Sequence, residues 1–207
     1  MKKVYAFDFD GTLTTHDTFI QLIAYVHGWW RLIGGMLLFS PILILMKLNL
    51  YPNWKAKQQV FSFFFKGMKI DDFDELCRNF ARDRQSLIRK KGMQTLREAL
   101  DDGSEVVIVS ASITNWVEPF FSDLKGVIKV EGTRIDVRNE SVTGKFLTKN
   151  CYGQEKVKRI SRLYPYRESY FLIAFGDSKG DKRMLEYADE AHYKPFRDKR
   201  KEVRCKM

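Results

Sequence analysis

The chain has 207 residues, 44% of them apolar, and a formal net charge of +10. A chain of this size buries one substantial core and carries at most a smaller appended unit. Cys77, Cys151 and Cys205, with no CxxC pair among them, exclude a disulfide framework and a zinc or redox pair, and a reducing, intracellular compartment is expected.

The chain opens with "MKKVYAFDFDG". Its apolar run reads as a buried strand but meets Asp8 and Asp10 too early for a secretory signal, so no export is expected. Residues 16–85 are helical in pattern and rich in aromatics, and are expected to form an inserted helical cap. The α/β core is then expected to comprise 1–15 together with 86–207. "GMQTLREALDDG" predicts a helix with a glycine stop feeding the strand "SEVVIVS" at 104–110. Residues 127–147 alternate with period two and predict a strand followed by a hairpin. "GQEKVKRISRLY" predicts a helix before the buried strand "YFLIAFG" at 170–176, and "EAHYKP" a last strand. The alternation argues for an α/β fold with a doubly wound, Rossmann-like parallel sheet core.

The last fourteen residues, "KPFRDKRKEVRCKM", hold seven Lys or Arg against two acids. A positive balance favours anionic partners, whether nucleic acid, a phosphorylated substrate or an anionic membrane surface. A solvated tail has the same composition, no nucleic-acid-binding motif is visible, and no nucleic acid is expected as a partner.

Ligands of open parallel sheets bind beyond the carboxyl ends of the strands, where the strand order reverses. The chemistry-bearing residues collect at those ends: Asp8 and Asp10 after the first strand, Ser110 and Ala111 after the second, and Asp177 and Asp181 of "GDSKGD" after the strand at 170–176. Acids inside the sheet would carry a severe desolvation cost, whereas at strand ends they share a crevice where a metal ion neutralises them.

In this order the residues resemble the haloacid dehalogenase-like phosphatase superfamily. Its DxDx(T/V) motif is matched by Asp8-Phe9-Asp10-Gly11-Thr12, its strand-ending Ser or Thr by Ser110, its lysine by Lys156 and its GDxxxD by Gly176 to Asp181. The insert directly after the first motif is similar to that of the phosphoserine phosphatase subgroup. The resemblance implies that Asp8 is the nucleophile and forms an aspartyl-phosphate, and that Asp10 is the general acid and base. It implies Mg2+ held by the Asp8 carboxylate, the Asp10 carbonyl and Asp177, with Asp181 orienting that shell. Ser110, Ala111 and Lys156 would hold the phosphoryl oxygens, and Gly11 and Thr12 would give a tight turn and backbone donors. Lys149 and Lys158 lie close enough to compete with Lys156; Ser110 and Asp181 are also placed to cap the helices that follow them. His16, His27 and His192 form no cluster and are given no catalytic role.

The substrate is read less directly. Phosphoserine phosphatases carry a glutamate seven residues beyond the second motif acid, where it binds the substrate ammonium; Asp17 stands there, placed equally to cap a helix beginning at Thr18. The segment 29–51 has fifteen uncharged residues between Arg31 and Lys47. These span only about 22 Å as a helix, against about 30 Å of bilayer hydrocarbon, and Pro41 is expected to interrupt them. The pattern predicts a broken helix or helical hairpin at a membrane interface, with Trp29, Trp30, Arg31, Lys47 and Tyr51 as anchors, or else an apolar cap core or a dimer face. Together with "CYGQEKV" and "DSKGDKRMLEYADEAHYKPFR", the segment resembles the bacterial phosphatidylglycerophosphatase C type, which implies a phospholipid head group as substrate and a cytoplasmic protein at the inner face of the membrane. A soluble phosphorylated small molecule, a phosphotransferase reaction and a non-catalytic basic membrane-docking module are the alternatives.

Overall fold

The computed structural model describes residues 1–197. Of the basic tail at 194–207, everything past Arg197 lies outside the described residues.

Five parallel strands form the central sheet: β1 (Lys2–Phe7), β2 (Glu105–Ile113), β3 (Lys129–Thr133), β6 (Tyr170–Gly176) and β7 (Glu190–Tyr193), in the order β3-β2-β1-β6-β7. The order reverses at β1, with β2 on one side of it and β6 on the other. Alternate residues face opposite sides, as the pleat requires. Val4, Ala6, Val107, Val109, Leu172 and Ala174 face one layer, covered by α6 (Gln154–Leu163) and α7 (Lys182–Tyr187). Phe7, Val106, Ile108, Ile173 and Phe175 face the other, where Leu96 and Ala99 of α4 (Lys90–Asp101) pack. On that side Phe7 stacks on Phe175 at 4.5 Å between ring centroids, and Phe175 on Phe196 at 5.5 Å. β4 (Ile135–Arg138) and β5 (Ser141–Phe146) form the antiparallel hairpin that the alternation predicts. Its turn residues Asn139 and Glu140 both take positive φ, the geometry that matches strand twist.

Between β1 and α4 lie three helices: α1 (Thr18–Lys47), α2 (Asn53–Phe65) and α3 (Ile70–Asp83). The expected interruption at Pro41 does not occur. Pro41 has no N–H to offer the Leu37 carbonyl one turn back, but the Ser40 hydroxyl donates to that carbonyl at 2.7 Å and the helix continues. The break falls at Gly28, with φ 79° and ψ 161°, a conformation only glycine adopts cheaply. Residues 29–47 therefore run as one helical arm of about 28 Å.

Only one stripe of that arm is covered. Leu32 and Gly35 are buried, and Met36 and Phe39 are partly so, with Gly35 against Phe64 of α2. Trp29, Trp30, Ile33, Leu37, Leu38, Ile44 and Leu45 are exposed, followed by Leu48 and Leu50. A helix that is apolar all round is ordinarily enclosed by protein or lipid; this one is enclosed on one side.

Candidate active site

Asp8 continues β1 by one residue, its N–H bonded to the Phe175 carbonyl at 2.9 Å. The chain then turns sharply through Phe9–Leu13, with Gly11 at φ 80°. A side chain at Gly11 would fall on the Asp177 carboxylate, so the turn needs both the positive φ and the missing Cβ. An open cavity of about 480 Å³ lies over this point. It brings together Asp8, Asp10, Gly11, Asp17, Ala111, Lys156, Asp177 and Asp181.

Lys156, on the first turn of α6, is 1% exposed and uses all three of its N–H donors on protein. They go to Asp8 Oδ1, Asp181 Oδ1 and the Val109 carbonyl, each at 2.6 Å. Burial works against its charge, but Asp8 and Asp181 outweigh that and raise its pKa above the ordinary lysine value. Thr12 is buried and donates its hydroxyl to Asp8 Oδ2 at 2.8 Å. Burial lifts the Asp8 carboxyl to about 7, with Lys156 opposing without cancelling. Burial also lifts Asp177, against its bond to Arg197 at 2.7 Å.

Oxygens of Asp8, Asp177 and Asp181 lie within 4.8 Å of one another. Three carboxylates meet here with the Lys156 ammonium and the Arg197 guanidinium beside them. The all-oxygen donor set fits a hard cation such as Mg2+. Asp181 stands at the N-cap position of α7 but makes no side-chain bond to that helix's N–H groups. Its Oδ2 accepts from the N–H groups of Asp177 and Ser178 and from the Ser178 hydroxyl, so it holds the loop that presents Asp177.

The other candidates differ in what they present to the cavity. Ser110 is 1% exposed, and its Oγ accepts from the Ser112 N–H at 3.0 Å; the cavity wall is Ala111 instead. The Gly11 N–H is bonded to Thr14 Oγ1 at 3.1 Å, so it is already engaged within the turn. Asp17 caps α1 through Oδ1, which accepts from Phe19 and Ile20 N–H, and lines the cavity as well. His16 also lines it. Ser112, Thr18, Lys57 and Arg197 were not singled out by sequence. Ser112 donates to Asp10 Oδ2 and Thr18 to Asp10 Oδ1, while Lys57 reaches the Ala111 carbonyl from α2 at 3.0 Å. Only Ser112 left a signal, since on a strand it shares a face with Ser110.

A sequence model of the haloacid dehalogenase-like hydrolases matches residues 5–186. The chain is 33% identical to protein CicA of Caulobacter vibrioides over 197 residues, 94% of this chain and 86% of that one. The chain belongs to the haloacid dehalogenase-like hydrolases. Among solved structures, a Bordetella pertussis protein of unknown function superposes with a TM-score of 0.79 at 16% identity, covering 92% of this chain and 89% of its own. A substrate-bound phosphoserine phosphatase superposes with a TM-score of 0.61 at 20% identity, covering 99% and 98%. These likenesses show the shared fold of this hydrolase.

In this hydrolase the Lys156 ammonium offsets two buried carboxylates. Lys156→Met is expected to destabilise the protein by about 3–5 kcal/mol, because both acids lose their buried partner. Urea unfolding without added metal measures this, and a loss below about 1 kcal/mol would show that Lys156 does not compensate those charges.

Proposed function

We propose that this hydrolase is a Mg2+-dependent phosphatase that cleaves a lipid phosphomonoester at the surface of an anionic membrane. In the first step an Asp8 oxygen bonds to phosphorus while the bond from phosphorus to the leaving oxygen breaks, and Asp10 gives that oxygen its proton. In the second, water bonds to the same phosphorus, its proton passes to Asp10, and Asp8 leaves with the electrons of the broken acyl-phosphate bond. Lys156 and Thr12 orient Asp8 from opposite oxygens. Asp8, Asp177 and the Asp10 carbonyl would hold Mg2+, which when bound would supply positive charge for the transferring phosphoryl oxygens.

The observation that carries the lipid reading is the make-up of the cavity walls. Besides the acid cluster, the lining includes Phe19, Ile20, Met36, Leu43, Met46 and Val60, with Asn53 and Lys57 among them. Met36, Leu43 and Met46 belong to the arm whose other side is exposed and apolar. A phosphate at Asp8 thus has its leaving group against apolar side chains continuous with a surface that suits the interfacial region of a bilayer. The net charge of +10 favours an anionic cytoplasmic leaflet.

The test is phosphate release from matched soluble and lipid phosphomonoesters, the lipid in mixed micelles, with Mg2+ and with chelator. Turnover is expected only with Mg2+ and with kcat/KM at least about tenfold higher on the lipid. A soluble ester turned over as well or better overturns the lipid reading and leaves a small-metabolite phosphatase. Transfer of the phosphoryl group to an added alcohol in preference to water identifies a phosphotransferase.

A further inference from the structure

Three protein donors converge on the Asp10 carboxylate. Thr18 gives Oδ1 both its backbone N–H, at 2.7 Å, and its hydroxyl, at 2.6 Å. Ser112 gives Oδ2 its hydroxyl at 2.5 Å. The Thr18 hydroxyl in turn accepts from Trp116 Nε1 at 3.1 Å. An indole N–H only donates, so the direction of this chain is fixed from Trp116 through Thr18 to Asp10. The indole occupies an acceptor site of the Thr18 oxygen and leaves its proton for Asp10.

The arrangement is held from several sides. Thr18 and Trp116 are both 0% exposed. The Trp116 ring is stacked on Phe19 at 5.6 Å with 7° between planes, which keeps the indole from turning away. The donors come from separate elements: Thr18 opens α1, Ser112 stands near the end of β2, and Trp116 lies in α5 (Thr114–Val117). Asp10 is therefore fully held only when the N-terminus of α1 is seated against the sheet.

We propose that Trp116 and Thr18 are positioning residues for Asp10, and that Oδ2 is the oxygen that hands a proton to the leaving group and takes one back from water. This rests on the phosphatase reading above. Oδ1 already accepts two hydrogen bonds, the ordinary capacity of a carboxylate oxygen, whereas Oδ2 accepts one and keeps a lone pair. The relay stops rotation of the carboxylate, so the same oxygen serves both steps. As the phosphorus–oxygen bond breaks, its electron pair stays on the leaving oxygen, which takes the proton from Oδ2. As water attacks, the released proton returns to Oδ2.

Losing the relay should cost most where proton donation matters most, on poor leaving groups. Thr18→Val keeps the backbone donor and the shape, Thr18→Ser keeps the hydroxyl, and Trp116→Phe keeps a ring against Phe19 but removes the indole donor. Each is assayed with Mg2+ on an alkyl phosphate and on p-nitrophenyl phosphate. Thr18→Val is expected to lower kcat about thirtyfold on the alkyl ester and about threefold on the aryl ester, with KM little changed. Thr18→Ser should come within about twofold of wild type on both, and Trp116→Phe should lose about fivefold on the alkyl ester alone. Equal losses on the two esters, or no rescue by serine, overturn the proposal. Where Thr18→Val is too unstable to assay, the alkyl-to-aryl ratio of Trp116→Phe decides. A wild-type protein that hydrolyses neither ester, nor a lipid phosphomonoester in mixed micelles, sinks the phosphatase reading and the relay's role with it. Wild-type turnover with unchanged ratios in the variants sinks the relay alone.

Discussion

Asp8→Asn is expected to reduce kcat on every phosphomonoester below about one per cent of wild type, a barrier increase of more than about 2.7 kcal/mol, while the protein stays folded. The amide matches the carboxylate in size and still accepts a hydrogen bond through its oxygen, so the contact from Thr12 or that from Lys156 persists. It does not attack phosphorus, and it removes one of the charges that a cation at Asp8, Asp177 and Asp181 would neutralise. The fold should tolerate the change because Asp8 is a costly charge: burial lifts its carboxyl to about 7 despite the ammonium beside it. Lys156 keeps Asp181 and the Val109 carbonyl. Phosphate release and the thermal midpoint, measured on the same preparation, test both parts. Residual turnover above one per cent on an unperturbed fold would rule out attack by Asp8.

Asp8, Asp10 and Asp177 are legible in the sequence because their positions follow from one local rule: each stands at or just beyond the end of a run that reads as a buried strand. The sheet is legible for a related reason. A strand buried on both faces is a continuous apolar run, and three of the five parallel strands, β1, β2 and β6, are marked that way. Contacts between elements distant in sequence are not marked. Trp116 reaches Thr18 across 98 positions and Arg197 reaches Asp177 across 20, and no spacing rule connects either pair. Pro41 and Gly28 show a subtler limit. Proline is the stronger helix breaker by propensity, yet the preceding Ser40 satisfies the carbonyl that Pro41 strands, whereas Gly28 takes a backbone conformation that its ordinary setting in "YVHGWW" does not announce. Ser110 shows a related limit, since the apolar run fixes its place along β2 but not that its Oγ accepts from the Ser112 N–H.

Leu38→Asp combined with Ile44→Asp is expected to release the protein from anionic vesicles and to lower hydrolysis of a lipid phosphate at least about tenfold, with turnover of p-nitrophenyl phosphate within about twofold of wild type. Leu38 is 61% exposed and Ile44 58% exposed, so neither carboxylate would be buried in the protein and the fold should hold. Both side chains lie on the open side of the arm, away from Leu32 and Gly35, which pack inward, and neither lines the cavity. If the arm docks in the interface, two charges placed in its apolar face oppose insertion directly, whereas a small ester needs only the acid cluster. Salt separates the two contributions to docking of the wild type. The Coulomb attraction of lysines and arginines for anionic lipid fades within a Debye length, while apolar insertion is nearly indifferent to ionic strength, so 0.5 M salt should weaken sedimentation with vesicles without ending it. Equal loss of both activities in the double variant would make the arm part of the folded core of the molecule. A wild-type protein that does not sediment with vesicles at any ionic strength would leave the exposed apolar side to a second copy of the chain, and a concentration-dependent dimer that the same two substitutions dissolve would establish it.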